Sequence, residues 1–130
     1  MADDKVLPNL KDALVKDGWQ VKPKALLLRD TGYQFLIDVD AEKDGKRVAI
    51  EVKSWLSESF NQDWYMAFGQ YLTYQGALHV EAPEYELYLA VPEDIYYKHF
   101  NTFILSLVKA NSVKIVIFDT NTNTVAAWKR

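Results

Sequence analysis

The chain has 130 residues, a formal net charge of −3 and an apolar fraction of 49 %. A chain of this length and apolar content can bury one core, so we predict a single domain over residues 1–130. The absence of cysteine excludes disulfides and thiolate metal sites. No apolar run approaches the roughly 18 residues that span a bilayer, and the N-terminus lacks a signal segment, so we expect a cytoplasmic protein without a membrane partner.

The first predicted element is an amphipathic helix over residues 5–17, where apolar side chains recur at helical spacing before Gly18. Residues 19–28 are predicted to begin the sheet. A β-hairpin is predicted over residues 35–53, because apolar and polar side chains alternate along both of its strands. One face of these strands carries apolar residues: Phe35, Ile37 and Val39 on the first strand, and Val48, Ile50 and Val52 on the second.

The second half of the chain alternates helices and strands. Ser57-Glu58-Ser59 is a typical helix start, and the helix is predicted to reach about Leu78. The remaining predicted elements are a strand over 84–91, a helix over 92–110, a strand over 113–118 and a last strand over 125–128. The order αβββαβαβ predicts an α/β fold in which helices flank a mixed sheet.

The turn of the hairpin sets its register. Asp44-Gly45 suits a two-residue type I′ turn, which needs positive φ at both positions. Counting outward from this turn pairs Asp40 with Ala49 and Asp38 with Glu51, and the same count sets Leu36 opposite Lys53. Two carboxylates would then face each other directly, roughly 4.5 to 5.5 Å apart at Cβ, which is destabilising unless a positive charge lies beside them.

A divalent cation would resolve this conflict, since Mg²⁺ takes hard oxygen ligands and often only one or two carboxylates. Lys53 lies two residues beyond Glu51, on the same face of the strand, within reach of a water on the metal. This arrangement suits hydrolysis of a phosphodiester, with the metal as Lewis acid. The alternative is a solvated face with weak ion pairs. Asp40 competes with Asp38 as the metal ligand, because the two share a strand face.

The hairpin resembles the core of the PD-(D/E)xK nucleases, with Asp38 followed by Glu51-Val52-Lys53. Five segments in collinear order resemble the XisH family more narrowly: DALVKDGW, AIEVKSW, FGQYLTY, LYLAVPEDIY and KIVIFD. Members of that family are named controlling factors for excision of the fdxN DNA element in cyanobacteria. The resemblance implies a restriction-endonuclease-like fold and a role in DNA rearrangement.

The resemblance also implies site residues. Asp38, Glu51 and the main-chain carbonyl of Val52 would hold Mg²⁺ or Mn²⁺, and Lys53 would assist the attacking water. Gln70 and Tyr74 are four residues apart, a spacing that resembles an accessory motif of RecB-like nucleases; the alternative is that they are core-rim residues. Many of these nucleases add an acid from the first helix. Four candidates for it are not separated by spacing: Asp3, Asp4, Asp12 and Asp17.

DNA is the expected substrate or ligand. Residues 1–53 carry ten of the fifteen basic residues, whereas residues 54–130 carry five against eight acids, so positive charge accompanies the hairpin. The candidate phosphate contacts are Lys22, Lys24, Arg29, Lys43, Lys46 and Arg47. Trp55, just past the motif, is a candidate substrate contact. The other expected partners are a recombinase or further excision factors and a second copy of the chain in a homodimer.

Two functions follow. The first is a Mg²⁺-dependent DNA endonuclease or strand-processing accessory in which Asp38, Glu51, Lys53 and Gln70 act. The second is a non-catalytic controlling factor that keeps the fold and binds DNA or protein. The intact Glu-x-Lys motif favours the enzyme. The acidic net charge favours the binder, as does the unresolved acid of the first helix. Leu7, which stands where related sequences tend to have a histidine, counts against catalysis.

Overall fold

A computed structural model describes residues 6–130, so the candidate acids Asp3 and Asp4 lie outside the described part of the chain. Its elements, in chain order, are α1 (Val6–Lys16), β1 (Gln20–Val21), β2 (Leu26–Leu28), β3 (Phe35–Ile37), β4 (Val39–Lys43), β5 (Lys46–Val52), α2 (Phe60–Glu81), β6 (Tyr85–Pro92), α3 (Glu93–His99), α4 (Thr102–Ala110), β7 (Ile115–Asp119) and β8 (Thr124–Lys129).

Six of these strands form one mixed sheet in the order β1-β4-β5-β6-β7-β8. β5, β6 and β7 run parallel to one another, whereas the β1–β4, β4–β5 and β7–β8 pairs are antiparallel. β2 and β3 pair separately as a small antiparallel sheet. The predicted α/β class, a mixed sheet flanked by helices, is confirmed.

The central sheet is covered on both faces. Residues alternate along β5, so that Val48, Ile50 and Val52 lie in the core that contains Leu10 and Leu14 of α1. Ala49 lies in the opposite core, which contains the inward face of α2 and parts of α4. The sheet therefore separates α1 from α2, and this separation decides which side chains can meet Glu51.

α2 is the longest helix, with 22 residues. It begins as predicted, since Ser59 is its N-cap and accepts a hydrogen bond from the amide of Gln62 at 3.4 Å. On its inner face, the Tyr71 hydroxyl donates to the carbonyl of Leu87 at 3.1 Å and accepts from the amide of Lys114 at 3.0 Å. These contacts tie α2 to the sheet at β6 and at the start of β7. In residues 6–130 no helix combines the length and apolarity needed to cross a membrane.

The predicted hairpin turn is confirmed. Asp44 and Gly45 have φ values of 51° and 81°, and Lys43 pairs with Lys46. The register continues as predicted through Asp40 and Ala49, and the ladder ends at Val39, opposite Ile50.

Beyond Val39 the predicted single strand is wrong. The chain bends at Asp38, and β3 leaves the central sheet to pair with β2, so that Leu36 faces Leu27 and not Lys53. Ile37 and Val39 consequently lie in opposite cores and do not share one face. At the bend an Asp38 carboxylate oxygen accepts from the amide of Val52 at 2.9 Å, in place of a main-chain ladder bond.

Two other predicted elements are divided. The strand predicted over 19–28 becomes β1 and β2, separated by Pro23, which has no amide proton to continue a ladder. The helix predicted over 92–110 becomes α3 and α4, because the Asn101 side chain caps α4 by accepting from the amide of Ile104 at 3.0 Å.

The turn provides a test of the register. A Cβ added at Gly45 would meet no atom within 4 Å, so Gly45→Ala changes only the backbone strain at positive φ. We expect Gly45→Ala to lower the free energy of unfolding by about 1 kcal/mol. Gly76 lies inside α2 and is equally open, and Gly76→Ala should raise this free energy by roughly 0.5–1 kcal/mol. Urea unfolding of both variants measures the two opposite changes, and a neutral Gly45→Ala would contradict the type I′ turn.

Candidate metal centre

Glu51 is a buried carboxylate in the middle of the sheet. It precedes the last residue of β5, lies beside Leu89 of β6, and is only 4 % exposed. Its Oε1 atom is buried and has no hydrogen-bond partner within the described residues. An unpaired buried carboxylate oxygen is costly, so this position requires a proton or a cation. Glu51 and Lys53 are both buried, so these two side chains do not lie on a solvated face of the hairpin.

Asp38 supplies the second carboxylate. The bend between β3 and β4 brings it next to the end of β5, where it accepts from the amide of Val52. Burial, the nearby charge of Asp38 and a hydrogen bond with its side chain together raise the pKa of Glu51 to about 8. The predicted proximity of the two carboxylates is therefore present, although they are not partners in a ladder.

The donors of this pair suit a hard divalent cation. Two carboxylates close together, one with an unpaired oxygen, match what Mg²⁺ or Mn²⁺ takes from a protein when water and phosphate complete the shell. Within residues 6–130 no cluster of three or more His, Cys, Asp or Glu side chains could hold a metal. The protein donors would thus be Asp38, Glu51 and a main-chain oxygen, and the carbonyl of Val52 stays a prediction for that third donor.

Lys53 lies on the face of β5 that carries Glu51, but it contacts α2. Its Nζ atom is 3.7 Å from Oδ1 of Asp63 and 3.4 Å from the sulfur of Met66. Lys53 and Asp63 are both buried, and the other oxygen of Asp63 accepts from the amide of Ser57 at 3.3 Å. Sequence reasoning missed Asp63. The available signal was an acid in the first turn of a helix, which is common and is usually solvated.

α2 lies along this site. Asp63, Gln70 and Tyr74 are spaced by seven and four residues, which places them on one helical face. At one end Asp63 meets Lys53, and at the other Tyr74 is close enough to Glu51 that burial, followed by the charges of Glu51 and Asp38, raises the pKa of Tyr74 to about 12. The half-buried Gln70 lies between them, and among residues 6–130 its side chain has no hydrogen-bond partner.

Asp40, the alternative metal ligand, is engaged elsewhere. Its two carboxylate oxygens accept from the Tyr85 hydroxyl at 3.0 and 3.1 Å, and Lys22 lies 3.6 Å away. It is buried and faces α2, but it lies opposite Ala49, two residues before Glu51. These contacts favour Asp38 as the ligand.

The two described candidate acids of the first helix lie on the other side of the sheet. Asp12 pairs with Lys16 at 3.3 Å, and Asp17, just past α1, accepts from the indole N–H groups of Trp19 and Trp128, both at 3.1 Å. Since α1 packs against the face opposite Glu51, neither acid joins the candidate site. Leu7 packs partly buried in the α1 core.

The candidate substrate contacts are spread out. Lys43, Lys46 and Arg47 surround the hairpin turn, and five residues of strand separate Lys46 from Glu51, roughly 16 Å. Arg47 pairs with Glu42 and Glu84, at 3.3 and 3.6 Å. The structure does not bring these cations together with the carboxylates.

Trp55 is placed in the core and not on a substrate surface. It is 5 % exposed, and its ring stacks on Phe60 and meets the edge of Phe100, with centroids 5.7 Å apart in both pairs. Its backbone has a φ of 60°, an uncommon value for a bulky residue, at the point where the chain turns from β5 toward α2. The aromatic contacts hold this turn, which positions Lys53.

Burial of Glu51 makes stability depend on pH. Its folded-state pKa of about 8 exceeds the ordinary 4.5, so the folded chain keeps a proton that the unfolded chain releases. Stability from this group is therefore complete below about pH 4.5 and is lost as pH rises to about 8. Glu51→Gln keeps the shape of the protonated acid without this loss. In metal-free buffer we expect it to be more stable than wild type at pH 8, on the order of 4 kcal/mol, with the advantage vanishing near pH 4.

Chemical unfolding in the presence of a chelator, repeated from pH 4 to pH 8, measures the difference. Glu42→Gln is a matched control on the exposed part of the same hairpin, where it should not create this pH trend. Parallel pH curves for wild type and Glu51→Gln would show that Glu51 titrates normally.

Comparison with known proteins gives one consistent result. The sequence model of the XisH protein family matches residues 1–126. No curated protein matches the chain. A crystal structure of an XisH family protein from Nostoc punctiforme PCC 73102 is 35 % identical, with a TM-score of 0.93 over 98 % of this chain and 100 % of that one. A crystal structure of a fdxN element excision controlling factor protein from Anabaena variabilis is 33 % identical, with the same TM-score and coverage. The chain therefore belongs to the XisH family.

Proposed function

We propose that this chain acts in the excision of a DNA element as a Mg²⁺-dependent endonuclease or strand-processing enzyme. The observation that carries the proposal is the close pair of Asp38 and Glu51, with a buried and unpaired oxygen on Glu51, followed on the same strand face by Lys53. A family protein named for control of fdxN element excision supports the process, and the carboxylate pair supports the chemistry.

The residues have separable roles in this proposal. Asp38 and Glu51 would hold the cation, and the amide of Val52 fixes the orientation of Asp38 through its hydrogen bond. A bound Mg²⁺ lowers the pKa of a coordinated water and polarises a phosphoryl oxygen. The Lys53 ammonium, held beside Asp63, would donate a hydrogen bond that orients the attacking water or neutralises charge on the phosphate.

Gln70 and Tyr74 would position the substrate. Both lie on the face of α2 that runs along the carboxylates, and Gln70 retains its donor and acceptor groups in the described structure. An amide in this position can orient a water or a phosphate oxygen. The tyrosine ring packs edge-on against Phe35, with centroids 5.8 Å apart, which restricts the movement of the ring.

A second function has its own support. In the described part of the chain neither Asp12 nor Asp17 reaches the carboxylate pair, and Lys53 is paired with Asp63. A site to which neither of these two acids contributes, and in which the lysine already has a partner, is compatible with a non-catalytic controlling factor. Such a protein would keep the fold and bind DNA, a recombinase or another excision factor.

A homodimer is part of the proposal. Residues 64–78 of α2 contain no charged side chain, yet Tyr65 and Leu72 are 61 % and 43 % exposed. A two-fold interface sets each patch against its own copy, so an exposed helix face without charge can pair with itself without repulsion.

Metal binding tests the site directly. We expect calorimetric titration with Mn²⁺ or Mg²⁺ to show one site in wild type, with Glu51→Gln and Asp38→Asn reducing affinity at least about tenfold. Asp44→Asn is the matched control, because this exposed acid lies at the tip of the same hairpin and asparagine tolerates its positive φ. No heat of binding at millimolar metal would contradict the site.

The same proteins separate the two functions when incubated with duplex, branched and single-stranded DNA. Cleavage that requires metal and falls roughly 10²-fold or more in Lys53→Ala supports the enzyme. DNA binding without cleavage, in a wild type that binds metal, supports the controlling factor. Cleavage that survives Lys53→Ala unchanged would show that the role proposed for this lysine is wrong.

Asp63 is predicted to act as a positioning residue. Asp63→Asn keeps a hydrogen-bond acceptor beside Lys53 but removes the charge, so we expect metal affinity to stay the same and kcat to fall about tenfold. A Lys53→Ala, Asp63→Asn double variant should be no slower than Lys53→Ala alone, because both changes act through one ammonium. Additive losses in the double variant would show that Asp63 acts independently, and thermal unfolding checks that the fold is intact.

A further inference from the structure

An apolar groove lies on the α2 side of the sheet, beside its last two strands. It has a volume of about 430 Å³ and is bounded by α3, α4, the start of β7 and the end of β8. Leu105 and Val108 of α4 and Val113 form part of its apolar wall. Its volume falls within the roughly 300–1,000 Å³ of ligand pockets.

Positive charge is concentrated at this groove. Residues 54–130 contain five basic residues, and four of them line it: Lys109, Lys114, Lys129 and Arg130. No Asp or Glu contributes to its lining. Two of the four have their charged groups engaged elsewhere: Lys114 pairs with Glu86 at 2.9 Å, and Arg130 donates to the hydroxyl of Tyr88 at 2.7 Å, in the core on the other side of the sheet. Within residues 6–130 neither Lys109 nor Lys129 has a carboxylate partner. The groove therefore combines an apolar wall with two unpaired lysines at its rim.

We propose that this groove docks an acidic amphipathic helix of a partner protein. The apolar side of such a helix would contact the wall through side chains at i, i+3, i+4 and i+7 spacing, and its Asp and Glu side chains would meet the rim. The two parts have different consequences: the apolar contacts slow dissociation, whereas the rim charges speed association and make it depend on salt.

The groove does not suit single-stranded nucleic acid. Bases bind such surfaces by stacking on exposed aromatic faces. Tyr96 is the one aromatic side chain in the lining, and it stacks on Phe100 with centroids 5.3 Å apart while Tyr97 meets it edge-on. With one half-buried tyrosine among its ten lining residues and an aliphatic wall, the groove favours a protein segment.

The groove lies on the same side of the sheet as the candidate metal centre. Glu51, Leu89, Ile115 and Lys129 form one row across β5, β6, β7 and β8. The outer members of this row are about three strand spacings apart, roughly 14 Å, and α2 packs over the intervening β6. A partner bound in the groove would thus lie beside the site without occupying it, and its docking does not depend on whether the site cleaves DNA.

A designed peptide tests the proposal. The probe is a fluorescein-labelled helix of about four turns with leucine at i, i+3, i+4 and i+7 and glutamate elsewhere, and its partner probe has the same composition in a scrambled order without an apolar face. We expect anisotropy titration to give micromolar binding of the amphipathic peptide and at least tenfold weaker binding of the scrambled one. The affinity should fall as salt is raised.

Variants locate the binding. Leu105, at 36 % exposure, tolerates a polar side chain, so Leu105→Glu should weaken binding about tenfold or more whereas Leu105→Met should not. Lys109→Glu and Lys129→Glu should each weaken it severalfold and flatten the salt dependence. Lys98→Glu is the matched control, because Lys98 is the fifth basic residue of this half and does not line the groove.

Three results would overturn the proposal. The first is no binding of the amphipathic peptide at millimolar concentration. The second is equal binding of the scrambled peptide, or equal weakening by Lys98→Glu, which would show that charge alone attracts the probe. The third is tighter binding of a single-stranded oligonucleotide that Leu105→Glu and Lys109→Glu both remove, which would make the groove a nucleic-acid site.

Discussion

The hydrogen bond from the amide of Val52 to the Asp38 carboxylate organises this fold around its site. It replaces a main-chain ladder bond at the end of β5, so the chain bends and β3 leaves the central sheet to pair with β2. The same bond places Asp38 beside Glu51 on a sheet that is covered on both faces. One hydrogen bond thus accompanies both the second sheet and the carboxylate pair.

The hairpin turn was predictable from sequence because its cause is local. Asp44 and Gly45 have the backbone preferences that a type I′ turn requires, and a two-residue turn leaves no freedom in the register next to it. The break at Asp38 was not predictable, because alternation along residues 35–43 is equally compatible with one continuous strand. Only the competition between a side chain and a distant amide decides the outcome, and it joins residues that are 14 positions apart.

The residues of the candidate site also differ in how far they could be predicted from the sequence. Asp38, Glu51 and Lys53 could be proposed from spacing on one hairpin, and the structure places all three where β5 ends. The pairing of Lys53 with Asp63 could not, since it depends on how α2 lies across the sheet. Composition alone could not locate the basic residues: those at the hairpin turn lie away from the carboxylates, whereas Lys109 and Lys129, 20 positions apart, both line one groove.

The burial of Glu51 is what makes the carboxylate pair a candidate metal site. A solvated Glu51 would not destabilise the fold and would be no evidence for a binding site. The residue is instead 4 % exposed, with an unpaired oxygen and the Asp38 carboxylate beside it. An alanine or a valine at this position would continue the core of β5 without that cost, as Ala49 does on the same face. A buried acid at this position lowers the free energy of unfolding, which an apolar residue would not do. A cation that binds the folded chain would restore that free energy. Lys53 differs from Glu51, because its pairing with Asp63 offsets part of the cost of burying both charges. The unpaired oxygen of Glu51 has no such partner within residues 6–130, so a bound cation would stabilise the carboxylate pair more than it would stabilise the paired Lys53.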